Sequence, residues 1–339
     1  MPALAVADAL RAEAGARVVF VGGERAEKTL VPEAGYELRT IAVEGLSRTN
    51  PLKAARGVLK AGAALRTARA ILRDVRPDAV MGGGGYVAGP VGAMAVAARI
   101  PLVLTEADSH LGLTNRLLAG RARRVCLAFP LEGRTGSRYR VTGRPVPPPV
   151  TDRDAARTRF GLAADDTCVL VFGGSLGARS INDAAVEALA GAPFRVLHAS
   201  GTRDFEALRA RLGDPPPANY DLQPYIRPFG DALAAADLTV ARAGGSIFEV
   251  ASHGVPAILV PYPHAAADHQ TANARWMVDA GAAIVIADAE LTSQRLGHEV
   301  GELLGDRGRL AAMATASASL ACPGAARDIA LEILRSIDG

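Results

Sequence analysis

Cysteine is scarce in this 339-residue chain: Cys126, Cys168 and Cys322 stand alone, with no CxxC pair and no histidine cluster beside them. That excludes a disulfide framework or a cysteine-ligated zinc site and points to a reducing compartment. Aromatic residues make up only 4% of the chain, which argues against the base-stacking platforms of single-strand nucleic-acid binders. No apolar run reaches the roughly 18–20 residues that a spanning helix needs. The opening Met-Pro-Ala-Leu-Ala-Val-Ala has no basic flank and meets Asp8 early, so it does not read as a signal peptide.

What is present is length enough for two domains with sizeable cores. Apolar residues are 49% and charged residues 22%, as in ordinary soluble proteins. The charge is uneven. The first 150 residues hold 22 basic and 12 acidic side chains and the rest hold 16 and 23, so a half of +10 is joined to a half of −7. The basic half is expected to meet something anionic, whether a membrane surface, a pyrophosphate lipid or nucleic acid. Short apolar runs alternate with helical patterns, which predicts an α/β fold of doubly wound parallel sheets. Strands are predicted near 17–22, 37–43, 78–82, 101–105, 123–128 and 138–142, then near 168–173, 194–199, 221–225, 238–242, 257–261 and 283–287. Between the two sets lies Gly143-Arg-Pro-Val-Pro-Pro-Pro149, whose prolines can continue neither a helix nor a central strand. It reads as a stiff hinge at 145–149 between domains 1–144 and 150–323 that face each other across a cleft.

Pro2 to Ala14 reads as a helix, with proline in its first turn and Leu4, Ala7 and Leu10 on one face. A doubly wound domain normally opens with a strand and a phosphate-binding turn before its first helix; here neither precedes the helix, so either the domain begins with a helix or the sequence has lost its true beginning. Residues 46–73 carry seven basic side chains (Arg48, Lys53, Arg56, Lys60, Arg66, Arg69, Arg73) and no acid. Val58, Ala61, Leu65, Ala68 and Leu72 form an apolar stripe among them. Such a helix suits contact with anionic lipid and equally suits the outer layer of an α/β domain.

Five stretches carry the candidate chemistry. In Val169-Leu-Val-Phe-Gly-Gly-Ser-Leu-Gly-Ala-Arg-Ser-Ile-Asn182 an apolar strand turns through Gly173, Gly174, Ser175 and Gly177 into a helix. Free N–H groups and the positive helix end then converge on one point and make an anion seat; the same pattern also serves as a tight turn without a ligand. Gly82-Gly-Gly-Gly-Tyr-Val-Ala-Gly-Pro90 follows a strand ending at Met81, where open α/β sheets bind ligands. Thr105-Glu-Ala-Asp-Ser-His110 brings two carboxylates and a histidine to another strand end, as a base, a hydroxyl-positioning group or solvated side chains. In Arg242-Ala-Gly-Gly-Ser-Ile-Phe-Glu249, Ser246 and Glu249 make either a capping box or a ligand-facing turn whose carboxylate accepts from ribose hydroxyls. Within Pro261-Tyr-Pro-His-Ala-Ala-Ala-Asp-His-Gln-Thr-Ala-Asn273, His264, Asp268 and His269 have ligand chemistry, but their spacing fits no zinc pattern. That loop reads as a polar rim for a sugar or base.

Taken in order, PALAVADAL (2–10), GGYVAGP (84–90), GLTNRLLA (112–119), GRPV (143–146), GGSLGAR (173–179), RAGGSIFE (242–249) and HAAADHQTANA (264–274) resemble the pieces of one family. It is the peptidoglycan N-acetylglucosaminyltransferases, the MurG type within glycosyltransferase family 28, and the resemblance runs from Pro2 to about Ala330. It implies a GT-B fold of two Rossmann-like domains, the first joined by the C-terminal helix 324–339. It also implies inverting, metal-independent transfer of N-acetylglucosamine from UDP-GlcNAc to undecaprenyl-pyrophosphoryl-MurNAc-pentapeptide, lipid I to lipid II. Carried over by resemblance, Gly174, Ser175 and Gly177 would hold the donor diphosphate and Ile226 would meet the uracil. Gly244, Gly245, Ser246, Ile247, Phe248 and Glu249 would hold the nucleotide, with Glu249 on the ribose, and Gln270 the GlcNAc hydroxyls. Gly84, Gly85 and Tyr86 would face the acceptor. The resemblance further implies no cofactor, no nucleic-acid partner, and a peripheral place on the cytoplasmic face of the cell membrane, met through 46–73.

The chain departs from the family pattern in three places. A GGTGGHxxP loop should precede PALAVA, and only its last residue stands here, as Pro2. The family's histidine base is therefore expected upstream of Met1, and His110 and Glu106 are the candidates within the chain. By the same resemblance Asp108 stands where the family has an asparagine and Pro147 where it has an arginine, for which Arg144, three residues earlier, is the candidate substitute; Asp108 and Arg144 would complete the donor-binding set. The alternatives are a catalytically impaired UDP-sugar-binding homologue, another GT-B lipid-linked sugar transferase, or a sugar-nucleotide epimerase.

Overall fold

The computed structural model describes residues 2–23, 26–42, 51–174 and 177–338, with the backbone alone for 51–61 and 266. It divides into two compact units, Met1–Val146 with Gly324–Gly339, and Pro147–Pro323; the boundary falls inside the proline run. In chain order the elements are α1 (Pro2–Ala14), β1 (Val19–Gly22), α2 (Glu27–Glu33), β2 (Glu37–Thr40), α3 (Pro51–Val75), β3 (Val80–Gly82), α4 (Gly85–Ala97), β4 (Leu102–Glu106), α5 (Leu113–Leu118), β5 (Arg124–Leu127) and β6 (Tyr139–Val141). The second unit adds α6 (Arg153–Arg159), β7 (Cys168–Phe172), α7 (Arg179–Leu189), β8 (Arg195–Ala199), α8 (Phe205–Leu212), β9 (Tyr220–Gln223), α9 (Phe229–Ala235), β10 (Leu238–Ala241), α10 (Ile247–Ser252), β11 (Ala257–Leu259), α11 (His269–Asp279), β12 (Ala283–Val285), α12 (Ser293–Gly305) and α13 (Arg307–Ser319). The chain then returns to the first unit with α14 (Ala325–Asp338).

The first unit holds two parallel sheets, β1-β2 and β3-β4-β5-β6. β1 and β3 do not pair, and a cavity of about 590 Å³ is lined by Val6 and Leu10 of α1, Phe20 of β1, Met81 of β3, Val91 of α4 and Ile333 of α14. Topology accounts for it. Parallel βαβ units cross right-handed, and doubly wound sheets commonly run 3-2-1-4-5-6. A strand leading into α1 belongs between β1 and β3, where the cavity lies. Around this gap the unit is well tied. Ile329, Ala330 and Ile333 of α14 pack with Val6, Val103 and Cys126, Arg124 reaches the buried Glu332 at 2.8 Å, and the Tyr36 hydroxyl donates to Asp8 at 2.6 Å.

α3 buries Ala64, Ala68 and Leu72 at four-residue intervals against the helix layer, and leaves Arg66, Arg69 and Arg73 exposed. Of the predicted basic stretch, residues 46–50 and the side chains of Lys53, Arg56, Val58, Lys60 and Ala61 lie outside the described residues. Among the described residues no helix is long and apolar enough to cross a membrane.

The second unit is a six-stranded parallel sheet in the order β12-β11-β10-β7-β8-β9. β7, β10 and β11 are buried along their whole length, as expected where helices cover both faces of a parallel sheet. Each fully buried Val, Leu or Ile there contributes about 1.5–3 kcal/mol. Just past the prolines, Val150 N–H donates to His253 Nε2 at 3.1 Å, and Arg153 donates to the Ala234 and Ala236 carbonyls at 2.7 and 3.0 Å. The strands observed are those read from the sequence, with ends shifted by up to three residues.

Joining a five-residue apolar strand and a short turn ahead of Pro2 is expected to raise the thermal midpoint by roughly 5 °C or more. Calorimetry would check this, and an unchanged midpoint would mean that the cavity does not accept a strand.

Candidate functional site

The second unit reverses its winding between β7 and β10. From β7 the chain steps outward through β8 and β9, crosses back to β10, and steps outward again through β11 and β12. Ligands of open α/β sheets bind at the carboxyl ends of the strands at such a point. β7 and β10 are in register, Phe172 opposite Ala241, so the two glycine turns that follow them leave the sheet side by side.

The first turn needs glycine for steric reasons. A Cβ at Gly173 would run into the Ala178 backbone nitrogen, and one at Gly177 (φ +73°) into the Ser200 carbonyl. Gly174 (φ +90°) is exposed with open space around it. α7 follows at once. Its N-cap residue, Ala178, supplies no side-chain cap, which leaves the first-turn N–H groups to a ligand or water. Ser175, read as the diphosphate contact, lies outside the described residues.

The second turn is held from below by Arg242. Its guanidinium donates to the Val260 and Pro261 carbonyls at 3.1 and 3.2 Å, to Ser180 Oγ at 2.8 Å and to the Asp288 carboxylate. The buried Asn273 amide donates to the Ala243 carbonyl at 3.1 Å. Gln270 joins the same turn: its Oε1 accepts from Tyr262 N–H at 2.9 Å, and its Nε2 lies 3.9 Å from the position of a Gly244 Cβ. Gly244, Gly245, Ser246 and Gln270 are thus brought together. Ser246 makes no side-chain cap hydrogen bond, so the capping box is not formed; Glu249 is half-buried one turn further along. Ile247 (0% exposed) and Phe248 (3% exposed) turn their side chains into the core, because the apolar face of α10 packs inward. Phe248 lies against Trp276, ring centroids 4.8 Å apart. What these two residues offer a ligand is backbone, not side chain. Ile226 is likewise buried, in the loop between β9 and α9 where Tyr225 and Arg227 are exposed.

Behind the first turn runs a buried polar chain that sequence reasoning passed over. The Asn182 amide donates to the Ser200 carbonyl at 2.9 Å and to Asp204 at 3.2 Å. Its Oδ1 therefore accepts from His198 Nε2–H at 3.1 Å, and His198 Nδ1 accepts from the Tyr220 hydroxyl at 2.8 Å. Asp204 also takes Arg203 at 2.8 Å and Arg179 at 3.5 Å, and the Arg203 hydrogen bond holds its carboxyl below the usual range. Burial pushes the His198 imidazole down to about 3 and raises the Tyr220 hydroxyl, so both are neutral at pH 7. The one signal in the sequence was a histidine inside the apolar run Arg195–Ala199.

In the first unit, Gly84 (φ +78°) and Gly85 (φ +74°) sit in the left-handed region at the start of α4, followed by the exposed Tyr86. Thr114 Oγ1 donates to the Gly85 carbonyl at 2.9 Å. Glu106 is corrected as a candidate base. Its carboxylate is nearly buried and accepts from the N–H groups of Ala107, Asp108 and Gly112 at 3.0, 3.3 and 2.8 Å and from the Asn115 amide at 2.9 Å. Those bonds shape the 107–112 loop and occupy the lone pairs a base would use. Asp108 and His110 are half-buried on that loop, and Arg144 is half-buried near the unit's end. Asp108 and Arg144 therefore belong to the first unit and the other predicted donor contacts to the second.

The paired turns on parallel sheets are those of a sugar-transferring enzyme of the GT-B class. Residues 1–127 match the N-terminal domain and residues 168–329 the C-terminal domain of glycosyltransferase family 28, and the chain belongs to that family. It is 43% identical over 359 residues, 99% of this chain and 95% of the relative, to a Moorella thermoacetica protein named UDP-N-acetylglucosamine–N-acetylmuramyl-(pentapeptide) pyrophosphoryl-undecaprenol N-acetylglucosamine transferase. A Halorhodospira halophila protein of the same name is 40% identical, with 97% of this chain and 92% of the relative covered. The crystal structure of Acinetobacter baumannii MurG superposes with a TM-score of 0.78 at 31% identity, over 98% of this chain and 95% of that one.

Gly177→Ala is expected to destabilise the second unit by at least ~2 kcal/mol, strain and clash together, and Gly174→Ala by only ~1 kcal/mol, from strain alone. Urea unfolding of the two variants would show the difference. A second expectation concerns pH. The unfolded His198 takes a proton near pH 6.5 and the folded one only near 3, so its contribution to stability is complete above the unfolded value and is lost as pH falls from there toward 3. The slope is about 1.4 kcal/mol per pH unit. Urea midpoints from pH 7.5 to 4 should therefore fall more steeply for the wild type than for His198→Gln.

Proposed function

We propose that this glycosyltransferase moves N-acetylglucosamine from UDP-GlcNAc to the 4-hydroxyl of the muramoyl sugar of undecaprenyl-pyrophosphoryl-MurNAc-pentapeptide. The observation that carries the reading is the 43% identity over 99% of the chain with a relative that bears this activity in its name. The second unit's geometry supports the donor half. The Gly173–Gly177 turn and the N-terminus of α7 form the diphosphate seat, the Gly244–Ser246 turn lies against the nucleoside with Glu249 on the ribose, and Gln270, beside Gly244, reaches the sugar.

The reaction is a direct displacement with inversion. The acceptor oxygen attacks the anomeric carbon, the bond from that carbon to the diphosphate breaks, and the hydroxyl proton passes to a base. Backbone N–H donors at the seat take the growing charge of the leaving diphosphate; one such donor is worth about 3 kcal/mol at comparable sites. With those donors in place the reaction needs no metal. On the acceptor side we assign Gly84, Gly85 and Tyr86 to the muramoyl lipid, and His110, on the loop that Glu106 shapes, to the proton.

Membrane contact completes the proposal. The exposed Arg66, Arg69 and Arg73 of α3 would meet anionic headgroups of the cytoplasmic leaflet. The exposed Tyr86, Leu113 and Leu117 would enter the interface beside the acceptor, as apolar side chains do when flanked by basic ones.

The test is transfer from labelled UDP-GlcNAc to lipid I with EDTA present. Acceptor-dependent release of UDP with a disaccharide lipid product is expected; release without acceptor, or conversion to another UDP-sugar, would sink the reading. Glu249→Ala is expected to weaken UDP binding by about tenfold, measured by calorimetry, with the thermal midpoint nearly unchanged.

A further inference from the structure

Resting on the donor reading above, we propose that Asn182 and His198 are positioning residues for the donor: they fix Gly177, the end of the first glycine turn, and the start of α7 against the end of β8. The turn is located by close approach. Gly177 sits against the Ser200 carbonyl with no room for a Cβ, and the same oxygen accepts the Asn182 amide. One carbonyl therefore registers both the last residue of the turn and the helix that follows it.

The Asn182 side chain has a single workable orientation. Its NH₂ must face the Ser200 carbonyl and Asp204, and its Oδ1 must face His198 Nε2–H. Flipped, it would set its amide donors against the histidine donor and turn its oxygen on a carbonyl and a carboxylate. His198 is in turn held by the Tyr220 hydroxyl. The chain thus runs with one sense from Tyr220 through His198 and Asn182 to Ser200 and Asp204. Asn182, His198 and Ser200 are each 0% exposed, so water cannot stand in for a missing partner. At its outer end Asp204 reaches Arg179, the first residue of α7. Apolar packing alone lets a helix slide along a sheet by fractions of an ångström. Directed hydrogen bonds to a buried carbonyl do not, and a misplacement of about 1 Å at a binding group can cost on the order of a hundredfold.

Two substitutions at one position test this. His198→Leu removes both hydrogen bonds at similar volume. His198→Gln keeps their sense, with Oε1 accepting from Tyr220 and Nε2 donating to Asn182. The leucine variant is expected to raise KM for UDP-GlcNAc about tenfold or more with kcat and the acceptor KM within about twofold, and the glutamine variant to return the donor KM to within about threefold of wild type. A leucine variant with a lowered thermal midpoint and an unchanged donor KM overturns the proposal, because the network is then structural only. If that variant does not fold, nitrogen-15 histidine spectra of the wild type decide. Addition of UDP is expected to shift the His198 Nε2–H resonance and slow its exchange with water; UDP binding that leaves it unmoved overturns the proposal. A wild type that binds no UDP at all defeats the donor reading, and this proposal with it.

Discussion

The parallel pairing of β7 with β10 is the constraint on which the candidate site depends. Neither strand follows the other in sequence, and their adjacency exists because the winding reverses between them. With Phe172 opposite Ala241, the two glycine turns begin at the same height on the same edge of the sheet. Each turn alone is an ordinary strand-to-helix connection. Together they present two backbone-lined surfaces a strand spacing apart, about 4.8 Å. Because both strands are buried throughout, any shift in register would expose apolar side chains or unpair backbone groups, so the relation between the turns is set by the core.

A second layer of control is polar and buried. Arg242 gathers the Val260 and Pro261 carbonyls, Ser180 and Asp288 beneath one turn; Asn182 and His198 stand beneath the other. The first unit uses the same device with opposite polarity, since Glu106 accepts the N–H groups that the 107–112 loop would otherwise leave unpaired. Side chains that the sequence offers for chemistry can be fully engaged in shaping the backbone. Glu106 is the clear instance, its carboxylate taken up by the backbone of its own loop and by Asn115.

Much of this was legible in the sequence. Apolar runs bounded by glycine and proline fix strand positions because a parallel sheet buries both faces and leaves few alternatives. Four prolines in 145–149 mark the division of the chain for equally local reasons. The glycine turns were visible because only glycine fits where backbone meets backbone, as Gly177 meets Ser200. The rest depends on neighbours distant in sequence. The inward faces of Ile247 and Phe248 follow from the helices and strands packed against α10, and nothing within RAGGSIFE reveals them. Glu106 draws on Asn115, nine residues on, and His198 on Asn182 and Tyr220, 16 and 22 residues away. The gap between β1 and β3 became visible only when the strand order was known.

Among the described residues no strand pairs with the facing edges of β1 and β3. An unpaired edge is a template for an added strand, and here two such edges border one largely apolar slot, so the slot is a receptor for one short apolar strand.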